Sequence, residues 1–532
     1  MKSRFFIFAL FICVMPFAMA SPSALATPVI FFSDVDSGPN KGGQDDKGAF
    51  VTIWGNRFGK ERGDGYISIG NGRAAKYLSW SDTKIVFQLG ENATTGDIIA
   101  TNNTGEHSNG IHFNVRAGKI YFIDAKTKHG GSGSFDNPWG SPAFFYDRAR
   151  PGDTVYFRAG VYNANYGGNW GDRNFALGAR KGGSPNNPLA FVGYPGESAV
   201  LKAPDGYHGN FTLTDTTRTV ASYVTIANLV LQGASDCIGG GGFWESEESG
   251  GTNIRVVGNR LSARYTGNTM TGLITVNGDT WRIFGNEFTD TGTRPPINNN
   301  HAVYVQTGAD DVEIGWNYFH NLRMGHVIQV HTDIAFKYED IRIHDNLITA
   351  ENVNDSRGIN VGRALPGSYG SIYNNVLYNI GQDFSAIALY YGDWKIFNNT
   401  FYHVRASSGM VWVSGQYGGQ PTAEVVNNIF YSDGESPYVT AIHGAHPSQL
   451  LLNANLYYGY KGATQTEGDK HAIQRDPLFQ NPTAGDFHLK PGSPAIDAGS
   501  TETSVIVKED YQGTARPQGK AFDIGAFEAI TR

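Results

Sequence analysis

The sequence has little charge and almost no cysteine, and each shortage excludes a class of protein. Charged residues make up 17% of the 532 residues, and the formal net charge is −7 at pH 7. A nucleic-acid-binding protein normally carries a strongly basic domain, so this class is excluded. The two cysteines are Cys13, in the apolar N-terminal stretch, and Cys237. Cys237, the single cysteine outside that stretch, forms neither an intramolecular disulfide nor a zinc–cysteine cluster by itself.

Long apolar runs are confined to the N-terminus. Lys2 and Arg4 precede the apolar stretch 5–17, and small-residue cleavage sites follow it. This order of features is typical of a secretory leader. No later segment reaches about 18 apolar residues, the length that a membrane span needs. The sequence therefore predicts a signal peptide over residues 1–26 and a monomeric protein, secreted or periplasmic, with no membrane or nucleic-acid partner.

Glycine and aromatic residues are abundant, which favours an all-β protein with many turns. The chain contains 68 Gly, 27 Tyr and 32 Phe, a profile typical of β-rich exported proteins. Short alternating runs over residues 27–116 predict a small β-sandwich. Its stretches "VTIWGNRFG", "ISIGNGRAAKYLSWSDTKIVF" and "HSNGIHFNV" resemble the IPT/TIG immunoglobulin-like domain. The resemblance implies a spacer or binding module without catalytic residues.

An oxygen-rich loop at the start of this domain raises the question of Ca²⁺. Asp34, Asp36, Asn40 and Asp45 are residue types that ligate this ion. A solvated Asp/Gly turn is the favoured interpretation, and Ca²⁺ stays open as a cofactor. No other cofactor is predicted.

The rest of the chain is a repeat built around asparagine. An Asn followed by apolar residues recurs behind a short β-run, with spacings between 24 and 31 residues. The members are Asn228, Asn259, Asn286, Asn317, Asn346, Asn375, Asn399, Asn428 and Asn455. A period of this length filled with strands predicts a parallel β-helix, in which stacked Asn side chains form a structural ladder along one turn.

Both ends of the repeat carry a family resemblance. The segment 120–163 resembles the first turns of secreted right-handed parallel β-helix proteins, and 476–500 with 522–528 resembles their C-terminal segment. The predicted fold is thus all-β, with an Ig-like sandwich followed by a right-handed parallel β-helix over residues 117–532.

A second strand precedes each Asn by 12 to 15 residues, and its period-2 alternation assigns two faces. The predicted core stack is Ile274/Val276, Val303/Val305, Ile328/Val330, Ile359/Val361, Ile387/Leu389, Val411/Val413 and Thr440/Ile442. The predicted outer row is Thr275/Asn277, Tyr304/Gln306, Gln329/His331, Asn360/Gly362, Ala388/Tyr390, Trp412/Ser414 and Ala441/His443. Amides, imidazoles and aromatic rings at steps of about 4.8 Å suit a polysaccharide groove.

The groove centre carries the groups that a lyase acting on uronic acids needs. Such an enzyme neutralises the sugar carboxylate while a base removes the neighbouring proton. The candidate catalytic residues are His331, Arg363, Tyr304, Asn360 and Gln329. In this hypothesis His331 or Tyr304 is the base and acid, and the other three neutralise the carboxylate. The candidate substrate-binding residues are His301, His326, Arg357, Gln306, Tyr390, Tyr391, Trp412 and His443. Of these, Tyr390, Tyr391 and Trp412 are expected to stack on sugar rings.

One segment of the groove resembles a known family. "DSRGINVGR" (355–363) is similar to the segment with the catalytic arginine in the β-helix lyases that include chondroitinase B and several alginate lyases. The resemblance implies that Arg363 acts beside the base, and it makes alginate the first substrate to test. The lysine of that family has no match here; His331 lies near its place, and Lys337 falls in the following turn.

Two alternatives stay open at this point. A glycoside hydrolase needs a carboxylate pair, and Asp279, Asp333 and Asp311 are the candidates. Asp279 and Asp333 lie two coils apart, about 9.6 Å by stacking, although Asp is also favoured in turns. The third class is a non-catalytic glycan-binding or adhesive protein. A metal site is not predicted, because the stacked histidines have no carboxylate in register.

Overall fold

The structure is a computed structural model that describes most of the chain from residue 27 onward. The described residues are 27–127, 130–142, 144, 148–163, 168–170, 173–178, 182–203, 209–214, 219–233, 235–241, 250–263, 272–289, 299–306, 309–332, 336–442, 449–462 and 468–530. The signal-peptide prediction concerns residues outside this set. Within it, no helix is long and apolar enough to cross a membrane.

The N-terminal unit is a β-sandwich whose interior is apolar. Its strands pair antiparallel, apart from a short parallel contact between the second and the last of them. The strands are Val29–Ser33, Ser37–Gly38, Phe50–Asn56, Tyr66–Ile69, Gly72–Trp80, Lys84–Leu89, Gly96–Thr101 and Ile111–Val115. A short 3-10 turn lies at Gln44–Asp46. Ile53, Ile67 and Phe87 are fully buried inside the sandwich.

A parallel β-helix follows, in which each coil contributes a strand to each of three sheets. The sheet that contacts the sandwich is called the docking sheet: Ile120–Ile123, Thr154–Phe157, Leu189–Gly193, Val224–Ala227, Ile254–Val257, Trp281–Phe284, Val312–Gly315, Ile341–His344, Tyr369–Tyr373, Asp393–Phe397, Thr422–Val426 and Leu450–Asn453. The predicted sandwich-plus-β-helix fold is confirmed.

The second sheet lies under the C-terminal segment and is called the cap sheet. Its strands are Gly160–Tyr162, Ala199–Lys202, Val230–Gly233, Arg260–Ala263, Glu287–Phe288, Tyr318–Phe319, Leu347–Thr349, Val376–Tyr378, Thr400–Tyr402, Ile429–Tyr431 and Leu456–Tyr458. The third sheet carries the outer row predicted from the sequence and is called the groove sheet. Its strands are Gly168–Trp170, Arg173–Gly178, Gly209–Thr212, Ile238–Gly239, Gly272–Val276, His301–Val305, His326–Val330, Arg357–Val361, Ile387–Leu389, Val411–Ser414 and Val439–Ile442.

The asparagine ladder runs from Asn259 to Asn455. The Oδ1 of each rung accepts hydrogen bonds from the backbone N–H and the Nδ2 of the rung before it, at 2.9–3.1 Å. Asp469 ends the ladder by accepting the same pair of bonds from Asn455. The prediction of Asn228 as a rung was wrong by one residue. Leu229 occupies the ladder position, and Asn228 lies in the left-handed conformation beside it.

The sandwich packs on the outer surface of the docking sheet. The ring of Phe32 lies 5.7 Å from Phe284 and 5.3 Å from Trp316. Phe32 also covers Gly285, where a Cβ would collide with its ring. Asn228 Nδ2 donates to the carboxylate of Asp34, 2.7 Å away, so one buried polar contact joins the two units.

The C-terminal segment covers the outer surface of the cap sheet. It contains the strands Phe479–Asn481 and Asp486–Leu489 and the 3-10 turns Pro482–Ala484 and Thr501–Val505. Its apolar side chains share one buried cluster with the cap sheet: Val376, Tyr402, Ile429, Leu456, Phe479, Phe487, Leu489, Ile524 and Phe527. Within the described part of the chain, the docking and cap sheets are therefore covered by the sandwich and the C-terminal segment, whereas neither of these two appendages packs on the groove sheet.

Candidate active site

The described outer row of the groove sheet follows the predicted alternation over most of its length. Thr275, Tyr304, Gln329 and Asn360 are paired in register on successive coils, and Ile274, Val303, Ile328 and Ile359 lie buried beside them. The assignment was wrong in the last coil. Val439 pairs with Val411 and is buried in the core, so Thr440 continues the outer row beside Trp412. His443 and Asp333 lie outside the described residues.

Some groove strands begin with two successive core residues, which breaks the period of two. Ala302 with Val303, and Val327 with Ile328, are all fully buried in the core cluster. The residue in front of each pair is thereby turned away from the core. His326 pairs in register with Arg357, and the near-parallel rings of His301 and His326 lie 6.5 Å apart, so these three residues stack on successive coils at the start of the strands. We call this column the wall of the groove.

Amide groups line the floor of the groove in two pairs. Asn360 Nδ2 donates to Gln329 Oε1 at 2.8 Å, and Asn277 Nδ2 donates to Gln306 Oε1 at 3.3 Å. Asn277 is 1% and Asn360 6% exposed. Each pair leaves the Oδ1 of its asparagine buried without a hydrogen bond.

His331 is held by the backbone of the next coil. The N–H of Arg363 donates to Nδ1 of His331 at 3.0 Å. A Cβ at Gly362 would collide with the same imidazole, so the glycine gives the ring its place. Because Nδ1 accepts a proton donor, the proton of the neutral imidazole is on Nε2. Neutral His331 therefore carries a hydrogen-bond donor at Nε2.

His301 has the opposite tautomer. Its Nδ1 donates to the backbone carbonyl of His326 at 2.7 Å, which leaves the lone pair on Nε2. Burial, with His331 nearby, lowers the pKa of His301 to about 4. Burial lowers the pKa of His326 too, helped by the neighbouring His301 and Arg357. The ring of His301 lies 5.1 Å from the ring of Tyr304.

An aromatic cluster occupies the coils after the amide floor. Tyr390 and Trp412 pack edge to face at 5.3 Å, and Phe384 packs edge to face on Trp412 at 4.9 Å. Tyr390 is 8% and Trp412 5% exposed, whereas Tyr417, 5.3 Å from Tyr390, is 69% exposed. Tyr417 therefore offers the cluster's most open ring face. The sequence analysis missed Phe384 and Tyr417 because both lie in loops outside the strand pattern.

Buried polar atoms without a hydrogen-bond partner gather on this face. Within the described part of the chain they include Asn277 Oδ1, His326 Nδ1, Arg357 Nε, Asn360 Oδ1 and Trp412 Nε1. Each such atom costs roughly 1–3 kcal/mol when left unpaired. Hydroxyl and carboxylate groups are the kind of partner that these atoms lack.

The candidate carboxylates have other partners. Asp311 is bound by Arg282 and Arg342 at 2.8 Å each, and these bonds outweigh burial and lower its pKa. Asp279 Oδ1 accepts the backbone N–H of Asp310, which is turn chemistry. The described outer row carries no Asp or Glu, and no metal-binding group of three His, Cys, Asp or Glu side chains occurs among the described residues.

Two of the residues considered as Ca²⁺ ligands, Asp34 and Asp36, contact other protein groups. The buried carboxylate of Asp34 accepts hydrogen bonds from the backbone N–H groups of Val35 and Thr52 and from Asn228. Asp36 faces Arg255 at 3.6 Å. These contacts serve the packing of the sandwich on the β-helix.

Comparisons with known proteins identify parts of the chain. Residues 35–115 match the IPT/TIG domain, so the N-terminal sandwich is a domain of this family. Residues 394–499 match a domain of unknown function, DUF5123. No curated protein matches the chain.

Several solved structures are similar to this chain at low sequence identity. The pectate lyase Pel9A is 15% identical, with 77% of this chain and 96% of that chain covered and a TM-score of 0.45. XylC in complex with xylose is 10% identical, with 77% and 98% covered and a TM-score of 0.46. The PL6 family alginate lyase AlyGC is 13% identical, with 71% and 56% covered and a TM-score of 0.38.

Proposed function

We propose that this protein is an exported polysaccharide lyase that cleaves a uronate-containing glycan by β-elimination in the groove. The observation that carries the proposal is the composition of the outer row. Amide, imidazole and guanidinium groups share the groove with aromatic rings, and the described carboxylates are absent from it. Alginate is the first substrate to test.

The reaction removes the proton next to the sugar carboxylate and breaks the bond to the leaving glycosidic oxygen. A carbon–carbon double bond forms, and the leaving oxygen takes a proton. The Nε2–H of His331, with Gln329, Asn360 and Arg363, would stabilise the carboxylate as negative charge develops on it. Tyr304, at the centre of the row, would take the proton and return one to the leaving oxygen.

The remaining groove residues would bind sugar units on either side. Gln306 and the wall residues His301, His326 and Arg357 provide polar contacts, whereas Tyr390, Tyr391, Trp412 and His443 are proposed to line further subsites. Tyr391 is already oriented by a hydrogen bond from its hydroxyl to the carbonyl of Tyr417 at 2.6 Å.

The test is the ultraviolet absorbance of the unsaturated uronate. The full chain is incubated with alginate, pectate, dermatan and hyaluronan, with and without Ca²⁺. A rise on one polymer establishes β-elimination and identifies the sugar. If no polymer gives a rise, the lyase proposal is wrong.

A hydrolase is the second candidate function, because Asp279 and Asp333 lie at equivalent strand ends in the sequence. It predicts new reducing ends without the absorbance rise, and Asp333→Asn would abolish them. A binding protein would give neither signal. An epimerase would exchange the same proton with solvent without cleaving the chain.

A further inference from the structure

Arg357 is a cation in the groove wall for which the described protein supplies no counter-charge. Its Nε is buried without a hydrogen bond, and burial lowers its pKa, with the Tyr390 hydroxyl as the neighbouring ionisable group. Four other arginines that are partly or fully buried have carboxylate partners: Arg158 with Glu197, Arg282 with Asp311, Arg342 with Glu313, and Arg516 with Glu528. Arg57 and Arg116 donate to backbone carbonyls instead. A desolvated charge without a partner is costly, so a ligand is the expected partner.

Phe384 brings Arg357 together with two further unpaired nitrogen atoms. The guanidinium carbon of Arg357 lies 4.5 Å above the centre of the Phe384 ring. His326 and Trp412 contact the same ring edge to face, at 5.5 and 4.9 Å. Nδ1 of His326 and Nε1 of Trp412 are buried without a hydrogen bond, like Nε of Arg357. These four residues are called the Phe384 pocket.

We propose that the Phe384 pocket binds the carboxylate of a uronate residue, which rests on the proposed function of the groove. Arg357 supplies a fixed positive charge and an N–H, and the indole N–H of Trp412 supplies a neutral donor. His326, held uncharged by burial, donates through Nδ1 in one tautomer. A neutral sugar would leave the guanidinium uncompensated, so the pocket selects an acidic glycan.

The Phe384 pocket binds a different sugar unit from the one whose carboxylate Arg363 neutralises in the proposed reaction. Arg357 begins the groove strand Arg357–Val361 and Arg363 lies just past its end, six residues on, so their Cα atoms are about 20 Å apart. The two arginines therefore flank this coil of the groove sheet on opposite sides. The Phe384 pocket is thus a specificity site for the polymer rather than part of the bond-breaking group.

The test compares acidic tetrasaccharides with the same tetrasaccharides after reduction of their carboxyl groups. Alginate and polygalacturonate tetrasaccharides are titrated calorimetrically into full-length Tyr304→Phe, which keeps turnover from disturbing the titration. We expect a preference for the acidic form. Arg357→Met should weaken binding of the acidic form about 10- to 100-fold and leave the reduced form within about twofold.

Arg405→Met is the matched control. Arg405 is half-exposed and faces Asp383, next to Phe384, at 3.9 Å, so its loss removes the same charge from this region and leaves all four pocket residues in place. The melting temperature of ligand-free Arg357→Met should equal or exceed that of the parent, because methionine still covers Phe384. A structural arginine would give a lower melting temperature.

Two results overturn the proposal. If Arg357→Met keeps the full acidic preference of the parent, the Phe384 pocket does not bind the carboxylate. If the parent shows no preference, or binds neither sugar, the pocket does not bind a carboxylate. The absorbance assay on wild-type protein decides β-elimination separately, so a failed pocket with an active lyase is distinguishable from a failed lyase.

Discussion

Two histidines in the groove have opposite tautomers, and backbone groups fix both. The Arg363 N–H forces the proton of His331 onto Nε2, while the His326 carbonyl forces the proton of His301 onto Nδ1. A strand pattern reports that a histidine lies in the groove, but the tautomer depends on a contact with the neighbouring coil. The nitrogen that carries the proton in each imidazole is therefore determined by the contact between neighbouring coils.

His331→Gln tests the tautomer directly. The glutamine amide places an N–H near the position of Nε2 but cannot take up a proton. We expect His331→Gln to keep kcat within about tenfold of the parent, whereas His331→Ala loses about 100-fold or more. Initial rates of double-bond formation across pH provide the measurement. If the two variants are equally inactive, His331 is the base.

His344 makes stability depend on pH. Burial lowers its pKa, but hydrogen bonds with Asp345 and Glu313, at 2.7 and 3.1 Å, outweigh burial and raise the pKa to about 9. A raised pKa stabilises the fold below the ordinary value near 6.5, and that stability is lost as pH rises through about 9. The contribution is on the order of 3 kcal/mol.

The melting temperature should accordingly fall between pH 6.5 and 9.5. His344→Gln should melt lower than the parent at pH 6.5 and show a smaller fall over this range. His112→Gln is the control, because His112 is an exposed side chain of the sandwich. An unchanged slope in His344→Gln would assign the pH dependence to other groups.

Strand elements were predictable where one residue type repeats. The spacing of Asn259, Asn286 and Asn317 gives the coil length, and each of them forms a rung. Asn228 broke the pattern because Asn also favours the left-handed conformation of the neighbouring position. In the last coil the sequence alternation is compatible with either register, so Thr440 and Ile442 were predicted in the core. A register slip of one residue exchanges the two faces of a strand.

The residue directly before each ladder position adopts the left-handed conformation and connects the β-helix to the sandwich and to the C-terminal segment. The residues in this column have φ between 51° and 65°. On the first coils it contacts the sandwich, through Asn228 to Asp34. On later coils it contacts the C-terminal segment, through Asn374 to the carbonyl of Glu509 and through Asn427 to that of Ser500. One column of the β-helix thus anchors both appendages, which periodicity alone does not reveal.

The ladder predicts a large stability effect at its centre. Asn317 Oδ1 accepts two hydrogen bonds from Asn286, and its Nδ2 donates to Ile283 and Asn346. Asn317→Ala leaves these groups buried and unpaired, so we expect a loss of about 3–5 kcal/mol. Urea denaturation provides the measurement, with the exposed Asn354→Ala as control. A loss below about 1 kcal/mol would show that the rungs are dispensable.

At the scale of the molecule, the sandwich and the outer face of the docking sheet share one apolar core, separate from the core inside the β-helix. A single buried cluster contains Phe50 and Phe87 of the sandwich together with Tyr156, Val192 and Phe284 of the docking sheet. The sandwich also meets the C-terminal segment, where Arg57 donates to the backbone carbonyls of Gln512 and Gly513. The sandwich is therefore a packed part of the structure and lies on a sheet other than the groove sheet.

This shared core predicts that the sandwich does not melt separately. Differential scanning calorimetry of the full chain should show one transition that includes both units, because removing the sandwich would expose the aromatic surface of the docking sheet. Phe32→Ala deletes the ring that contacts Phe284 and Trp316, and should lower that single transition by about 3–5 kcal/mol of stability. Leu78→Ala, at an exposed sandwich position, should leave it unchanged. Two separate transitions, with only the lower one sensitive to Phe32→Ala, would show that the units fold independently.

The rate of double-bond formation per folded molecule should be unchanged in Phe32→Ala, because the sandwich contacts the docking sheet and leaves the groove sheet uncovered.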